Sequence, residues 1–246
     1  MQRVAIISGS SRGLGASMAI NLAKQGIITV ITYQNSKKDA LKVLDEIKPF
    51  SKQSMVLKLN IKSRKSIKNV IEKTLKKFSR IDILVNNAGI NKRCDFYEIT
   101  DNDWDEIFDV NLRGAFIFTQ ECLKVMKKNS RIINISSVAG QYHGPTTVHY
   151  AVSKAGLNSL TKASARYAAK KNIYVNAIAP GIIATDQTYE QFKSGAAKKI
   201  IDSTQLIKRP GELKDLNSAL NFLVDKNQTY MTGQIIALSG GAIIDN

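Results

Sequence analysis

Cysteine, histidine and proline are scarce in this chain, and each scarcity narrows what it can be. Across 246 residues there are two cysteines, Cys94 and Cys122, and two histidines, His143 and His149. They fall at no metal-ligand spacing, so no metal site is expected. Four prolines and a hydrophobic content of 43% speak against a disordered chain. No apolar run reaches the length of a membrane span, about 18 residues or more. Near the start, Val4-Ala-Ile-Ile-Ser8 reads as a strand and lacks the charged, apolar, small order of a secretory signal. A reducing, cytoplasmic setting is the expectation.

Acidic residues are also in the minority. Twenty Asp/Glu face 36 Lys/Arg, for a formal net charge of +16, and residues 37 to 80 alone hold 14 Lys/Arg against 4 Asp/Glu. Such a balance raises the question of nucleic acid. Here the lysines interleave with apolar residues at helical spacing, which reads first as solvated outer helix faces. The sharper reading is a positive field for an anionic cofactor or an acidic carrier protein. Neither calls for DNA or RNA.

What the chain does have is alternation. The pattern predicts strands over 4–8, 27–32, 55–59, 81–85, 131–136, 174–178 and 235–238. Helical periodicity fills 14–25, 38–48, 63–78, 102–128, 150–171 and 212–224. This predicts an α/β fold: a three-layer, doubly wound (Rossmann) single domain over 1–246 with a seven-stranded parallel sheet. Right-handed crossovers align the strand C-termini along one edge, where ligands bind. The polar stretch 186–210, after Pro180-Gly181, interrupts the alternation and is expected to be a mobile cover over that edge.

Strand one runs into Ser8-Gly9-Ser10-Ser11-Arg12-Gly13-Leu14-Gly15, and a helix follows at once. Glycines at this junction allow a tight turn and close approach of backbone to a pyrophosphate, while the helix N-terminus offers N–H donors and a favourable dipole. A purely structural glycine turn is the plainer alternative. Gly9, Ser11, Arg12, Gly13, Leu14 and Gly15 are the cofactor candidates here. A fold that holds NAD usually ends strand two with a carboxylate for the ribose hydroxyls. This one continues Gln34-Asn35-Ser36-Lys37-Lys38, with no carboxylate until Asp39. Arg12 stands in the glycine turn, and Asn35, Ser36, Lys37 and Lys38 lie near the same place, so a 2′-phosphate would meet donors and cations and NADPH/NADP+ is expected over NADH.

Tyr150 and Lys154 lie four residues apart, on one face of a predicted helix. An ammonium beside a phenol stabilises the phenolate and so lowers a pKa that is ordinarily about 10. Ser137, at the end of a predicted strand, could hold the oxygen that receives the proton. Together they outline an acid–base site for a carbonyl or alcohol. Each has a dull alternative: Tyr150 and Lys154 as an amphipathic helix face, Ser137 as a loop cap. Asn111, in Val110-Asn111, reads most plainly as a backbone-bonding asparagine. His143 and His149 read as loop polarity or pocket lining.

Taken together, the sequence resembles the short-chain dehydrogenase/reductases over nearly its whole length. Gly9, Gly13 and Gly15 match that family's cofactor turn, with Ser8 where threonine is commoner. Asn86-Asn87-Ala88-Gly89 matches the motif after its fourth strand, which implies that Asn87, Ala88 and Gly89 line the adenine-ribose side. Asn60, where aspartate is frequent, and Ile61 would lie near the adenine. Asn111 falls at the fourth catalytic position beside Ser137, Tyr150 and Lys154. Pro180, Gly181, Ile183 and Thr185 resemble the segment that contacts the nicotinamide carboxamide, and Thr232-Gly233-Gln234 and Ser239-Gly240-Gly241 resemble the family's C-terminal end.

The resemblance implies that Tyr150 is the general acid and that Lys154 lowers its pKa and holds the nicotinamide ribose. It implies that Ser137 bonds the substrate oxygen and that Asn111 holds a water linking Lys154 to solvent. A homotetramer is implied too, with Ala151, Ala155 and Ala163 as a small-residue face toward a second subunit. Within the family, the Ser-Arg-Gly turn, Ile90 and the run Ile182-Ile183-Ala184-Thr185-Asp186 resemble the 3-oxoacyl-[acyl-carrier-protein] reductases. Lys128 and Lys171 fall where those enzymes have basic residues for docking an acidic carrier. A sugar, polyol or secondary-metabolite ketone is the alternative substrate, and a non-catalytic cofactor-binding sensor the remote one. Substrate choice is expected to reside in 90–97, 138–149 and 186–210.

Overall fold

The structure, a computed structural model, describes residues 2–142, 147–185 and 192–244. His143, Asp186 and the first part of the expected cover, 186–191, lie outside the described residues. The strands are β1 (Val4–Ile7), β2 (Ile28–Tyr33), β3 (Met55–Lys58), β4 (Ile83–Asn86), β5 (Arg131–Ile135), β6 (Tyr174–Pro180) and β7 (Ile235–Leu238). They form one seven-stranded sheet in the order β3-β2-β1-β4-β5-β6-β7. Every pairing is parallel; Ala5 lies beside Thr29 on one side and Ile83 on the other. The chain leaves β1 in one direction and returns to its other side at β4. That switch point opens a crevice at the C-terminal ends of the two strands, where this architecture binds ligands.

Strand side chains alternate between the two faces and build two apolar layers. Val4, Ile6, Val30, Leu84 and Ile132 pack against α3 (Arg64–Phe78), α5 (Gly114–Val125) and α6 (Val148–Ala169). Ala5, Ile7, Ile31, Val85 and Ile133 pack against α1 (Gly13–Lys24), α2 (Lys37–Ile47) and a late helix, Leu213–Val224. Burial on both faces is why the strands read as short continuous apolar runs. Among the described residues no helix is long and apolar enough to cross a membrane.

Three features depart from expectation. The stretch read as one helix over 102–128 is α4 (Asp101–Phe108), a π-helical turn (Asp109–Arg113) and then α5. It starts where the Thr100 hydroxyl accepts from the Asp103 N–H at 3.2 Å, and it ends at Val125, because Met126 is extended (φ −67°, ψ 144°). The expected cover contains a helix, α7 (Ala196–Thr204), which buries Ala197 and Ile201 one turn apart; the Leu213–Val224 helix is then α8. Ala151, expected on an outward small-residue face, is buried within its own chain at 1% exposure, whereas Ala163 is exposed.

Candidate active site

The turn after β1 is tied to the neighbouring strands at several points. Gly9 and Gly13 have φ of 65° and 57°, a left-handed backbone that glycine adopts without a Cβ penalty. At Gly15 a Cβ would sit 2.3 Å from the Gly9 carbonyl oxygen and 2.6 Å from Asn87 Nδ2, so only glycine fits. Asn87 Nδ2 donates to the Ser8 and Gly9 carbonyls at 2.9 and 3.0 Å. The Ser8 hydroxyl oxygen accepts from the Asn87 and Ala88 N–H groups, both at 2.9 Å. Serine thus performs this bridging where threonine is commoner. The Gly9 N–H donates to Thr32 Oγ1 at 3.1 Å, which binds the turn to β2. The first turn of α1 carries no acidic residue, and Arg12 precedes it, exposed. A dinucleotide's pyrophosphate fits this cradle: bare backbone, a helix N-terminus and no opposing carboxylate.

The acid–base residues converge on the same edge. Ser137 follows β5; its hydroxyl oxygen accepts from the Ala139 N–H at 3.1 Å, and its side chain lies close enough to the Tyr150 phenol to act on its pKa. Tyr150 and Lys154 share a face of α6, with Lys154 Nζ 5.6 Å from the tyrosine ring centroid. Lys154 is buried and donates to the Ile135 carbonyl at 2.9 Å. That leaves further ammonium donors for other acceptors. Asn111 sits in the π turn, a deviation that helices often carry at functional positions. Its Oδ1 accepts from the Ile90 N–H at 2.8 Å, and its Nδ2 donates to the Ile90 carbonyl at 2.9 Å and to Ser153 Oγ at 3.1 Å. The amide therefore fastens the start of the 90–97 loop to α6. A Cβ at Gly89 would lie 3.3 Å from Asn111 Oδ1 and 3.5 Å from Lys154 Nζ, so the glycine lets these two groups approach.

The electrostatics differ from the expectation of an acidified tyrosine. Burial pushes the Tyr150 phenol up, and the Ser137 side chain acts in the opposite direction. Burial also drops the Lys154 ammonium to about 8. In the protein alone, desolvation outweighs any lowering of the phenol by the lysine. The result is a neutral phenol, an acid ready to donate, beside an ammonium that releases its proton easily.

The remaining predicted residues divide into two groups. Asn35, Ser36 and Asn60 lie just beyond the C-terminal ends of β2 and β3; Asn35 and Asn60 are exposed, and Asn60 Oδ1 accepts from the Lys62 N–H at 3.1 Å. Pro180 ends β6, and Gly181 donates its N–H to the Leu238 carbonyl at 2.9 Å, so both lie on the same edge as Ser11, Ala88 and Thr185. Ile61 and Ile183 instead commit their side chains to packing: Ile61 against Gly114, Ile183 against Gly211. Leu14 likewise packs into the apolar layer over α1. His149 belongs to α6, not to a loop; it is fully buried, and neither ring nitrogen has a hydrogen-bond partner among the described residues. Ser153 was not anticipated. It is buried, accepts from Asn111 and donates to the Tyr150 carbonyl at 2.7 Å. Its one signal in the sequence is its place between Tyr150 and Lys154.

Known proteins resemble this chain over nearly its whole length. A family model described as enoyl-(acyl carrier protein) reductase matches residues 9–242. The 3-oxoacyl-[acyl-carrier-protein] reductase of Staphylococcus epidermidis is 35% identical over 243 residues, 98% of this chain and 99% of the relative. That of Thermotoga maritima is 36% identical over 244 residues, 98% of both chains. The crystal structure of a dehydrogenase/reductase from Sinorhizobium meliloti 1021 superposes with a TM-score of 0.92 at 29% identity, covering 98% of this chain and 94% of that one. The cradle, the Ser137–Tyr150–Lys154 group and these relatives agree: the chain belongs to the short-chain dehydrogenase/reductases, NAD(P)H-dependent oxidoreductases.

Proposed function

We propose that this enzyme uses NADPH to reduce a carbonyl to a secondary alcohol, and that its substrate is the 3-oxoacyl thioester of an acyl carrier protein. The observation that carries the reaction is the convergence of Ser137 and Tyr150 beside the Lys154 ammonium, 5.6 Å from the Tyr150 ring centroid. The nicotinamide cofactor supplies the hydride when bound. The Ser137 hydroxyl orients the substrate carbonyl oxygen, and the Tyr150 phenol gives that oxygen its proton as hydride reaches the carbon. Lys154 steadies the resulting phenolate and returns a proton to it. Asn111 and Ser153 keep α6 and the 90–97 loop in register around them.

The choice of NADPH is supported by Arg12, Lys37 and Lys38, exposed near the end of β2. The choice of thioester is supported by relatives whose names carry it. Lys128 and Lys171 are exposed and flank the 2.8 Å bond from the Asn129 N–H to the Asn172 carbonyl, which suits an acidic carrier. Both precede strands, however, so they lie about 30 Å from Tyr150 along α6. A carrier held there serves Tyr150 of a neighbouring copy whose α6 runs antiparallel. Val152, Ala163 and Tyr167 on α6, with Phe116 on α5, leave an exposed face for such an assembly, a homotetramer acting in the cytoplasm. NADPH oxidation with an acetoacetyl thioester, set against sugar and polyol ketones, tests the substrate. Turnover of a sugar ketone with none of the thioester rejects it. Sedimentation as a monomer rejects the assembly.

A further inference from the structure

The end of β2 carries a negative charge in a place where the basic residues alone suggest none. Ser36 precedes α2, and Asp39 lies in its first turn, the spacing of a capping box. The box does not form in the usual way: the Ser36 side chain makes no bond to the helix backbone. Instead its hydroxyl donates to Asp39 Oδ2. A serine has one O–H to give, so the donor that a 2′-phosphate would claim is already engaged by a carboxylate. Asp39 is further paired with Lys42, at 3.6 Å. The Ser36 bond first, then Lys42 and Arg12, hold the carboxyl below its ordinary range, so it is ionised at neutral pH. The Arg12 charge that would receive a 2′-phosphate is thus felt by Asp39 as well.

We propose that Asp39 is a specificity-determining residue that competes with the cofactor's 2′-phosphate for Ser36 and Arg12. The enzyme then discriminates NADPH from NADH less sharply than Arg12, Ser36, Lys37 and Lys38 would without it. The inference rests on the dinucleotide reading of this edge. It deepens that reading by assigning opposite signs to neighbouring residues: cations that favour the phosphate and one anion that opposes it.

Calorimetric titration with 2′,5′-ADP and 5′-AMP, fragments without a nicotinamide, reads the site without turnover. Asp39→Asn keeps an acceptor for Ser36 and removes the charge; Asp39→Ala removes both. In each variant 2′,5′-ADP should bind about fivefold tighter, the size of one partly screened charge, while 5′-AMP changes by less than about twofold. An unchanged or weakened 2′,5′-ADP affinity in both variants overturns the inference, as does equal tightening of both fragments. Parallel titrations of wild type with NADP+ and NAD+ separate the two levels. Failure to bind either one removes the dinucleotide reading, and the inference with it. Binding of a dinucleotide with no change in the fragment ratio removes the inference alone.

Discussion

Replacing Lys154 with methionine separates catalysis from stability in this fold. Burial drops the lysine to about 8 from an ordinary 10.5. Below pH 8 the group is charged in both states, and the folded protein bears the whole desolvation cost, roughly 3 kcal/mol at pH 7. As pH rises from 8 toward 10.5, the folded group is neutral while the unfolded one sheds its proton, so the cost fades, to about 1 kcal/mol at pH 9.5. Methionine fills similar space without charge but gives up the 2.9 Å bond to the Ile135 carbonyl, about 1–2 kcal/mol. Lys154→Met should therefore be more stable than wild type at pH 7 by about 1–2 kcal/mol. In a chain this long that raises the unfolding midpoint by roughly 2–6 °C. At pH 9.5 the gain should vanish or change sign. Scanning calorimetry at both pH values and one protein concentration measures this, and turnover should fall by about 100-fold or more. A variant that melts below wild type by the same margin at both pH values refutes the picture of a buried, costly ammonium.

Other substitutions probe the remaining parts. Tyr150→Phe should lower turnover by at least about 100-fold while fluorescence titration shows cofactor affinity unchanged; undiminished turnover removes Tyr150 as the acid. Asn111→Ala strands both backbone groups of Ile90 and should cost about 1–3 kcal/mol in urea unfolding, and an unaltered midpoint would contradict that fastening role. Gly15→Ala places a methyl 2.3 Å from the Gly9 oxygen. The turn must open, so dinucleotide Kd should rise about tenfold or more, whereas wild-type affinity would mean that the cradle is not the binding element.

Much of this was legible because both sheet faces are covered. Val4–Ile7 is apolar at every position and Ile83–Asn86 at every position but the last, and such runs between helices admit few other folds. The glycine turn and Tyr150–Lys154 were legible because their chemistry depends on spacing. Helix α7 was not, since only Ala197 and Ile201 of a lysine-rich stretch turn inward. Ser153 and the Ile135 carbonyl were not, because a hydrogen bond to backbone leaves no mark on residue choice. The rise in the Tyr150 pKa was hidden for a related reason. Which charges lie nearby can be guessed from spacing, but how much water reaches them depends on the packed whole.

The π turn at Asp109–Arg113 ties the length of this segment to its chemistry. Residues in an α-helix step by about 100°, and a π turn widens to absorb one surplus residue, so α4 and α5 keep the phase of a helix one residue shorter. Removing a single residue there would fuse them into one unbroken helix and leave the residues beyond in phase. Ile117, Phe118 and Cys122 would stay on the sheet, while the widened turn that carries Asn111 to Ile90 would be lost. A deletion there spares the apolar layer and damages the site. A deletion in the π turn should therefore be rejected at the level of catalysis while the fold is kept, whereas one elsewhere along α5 turns its apolar face off the sheet.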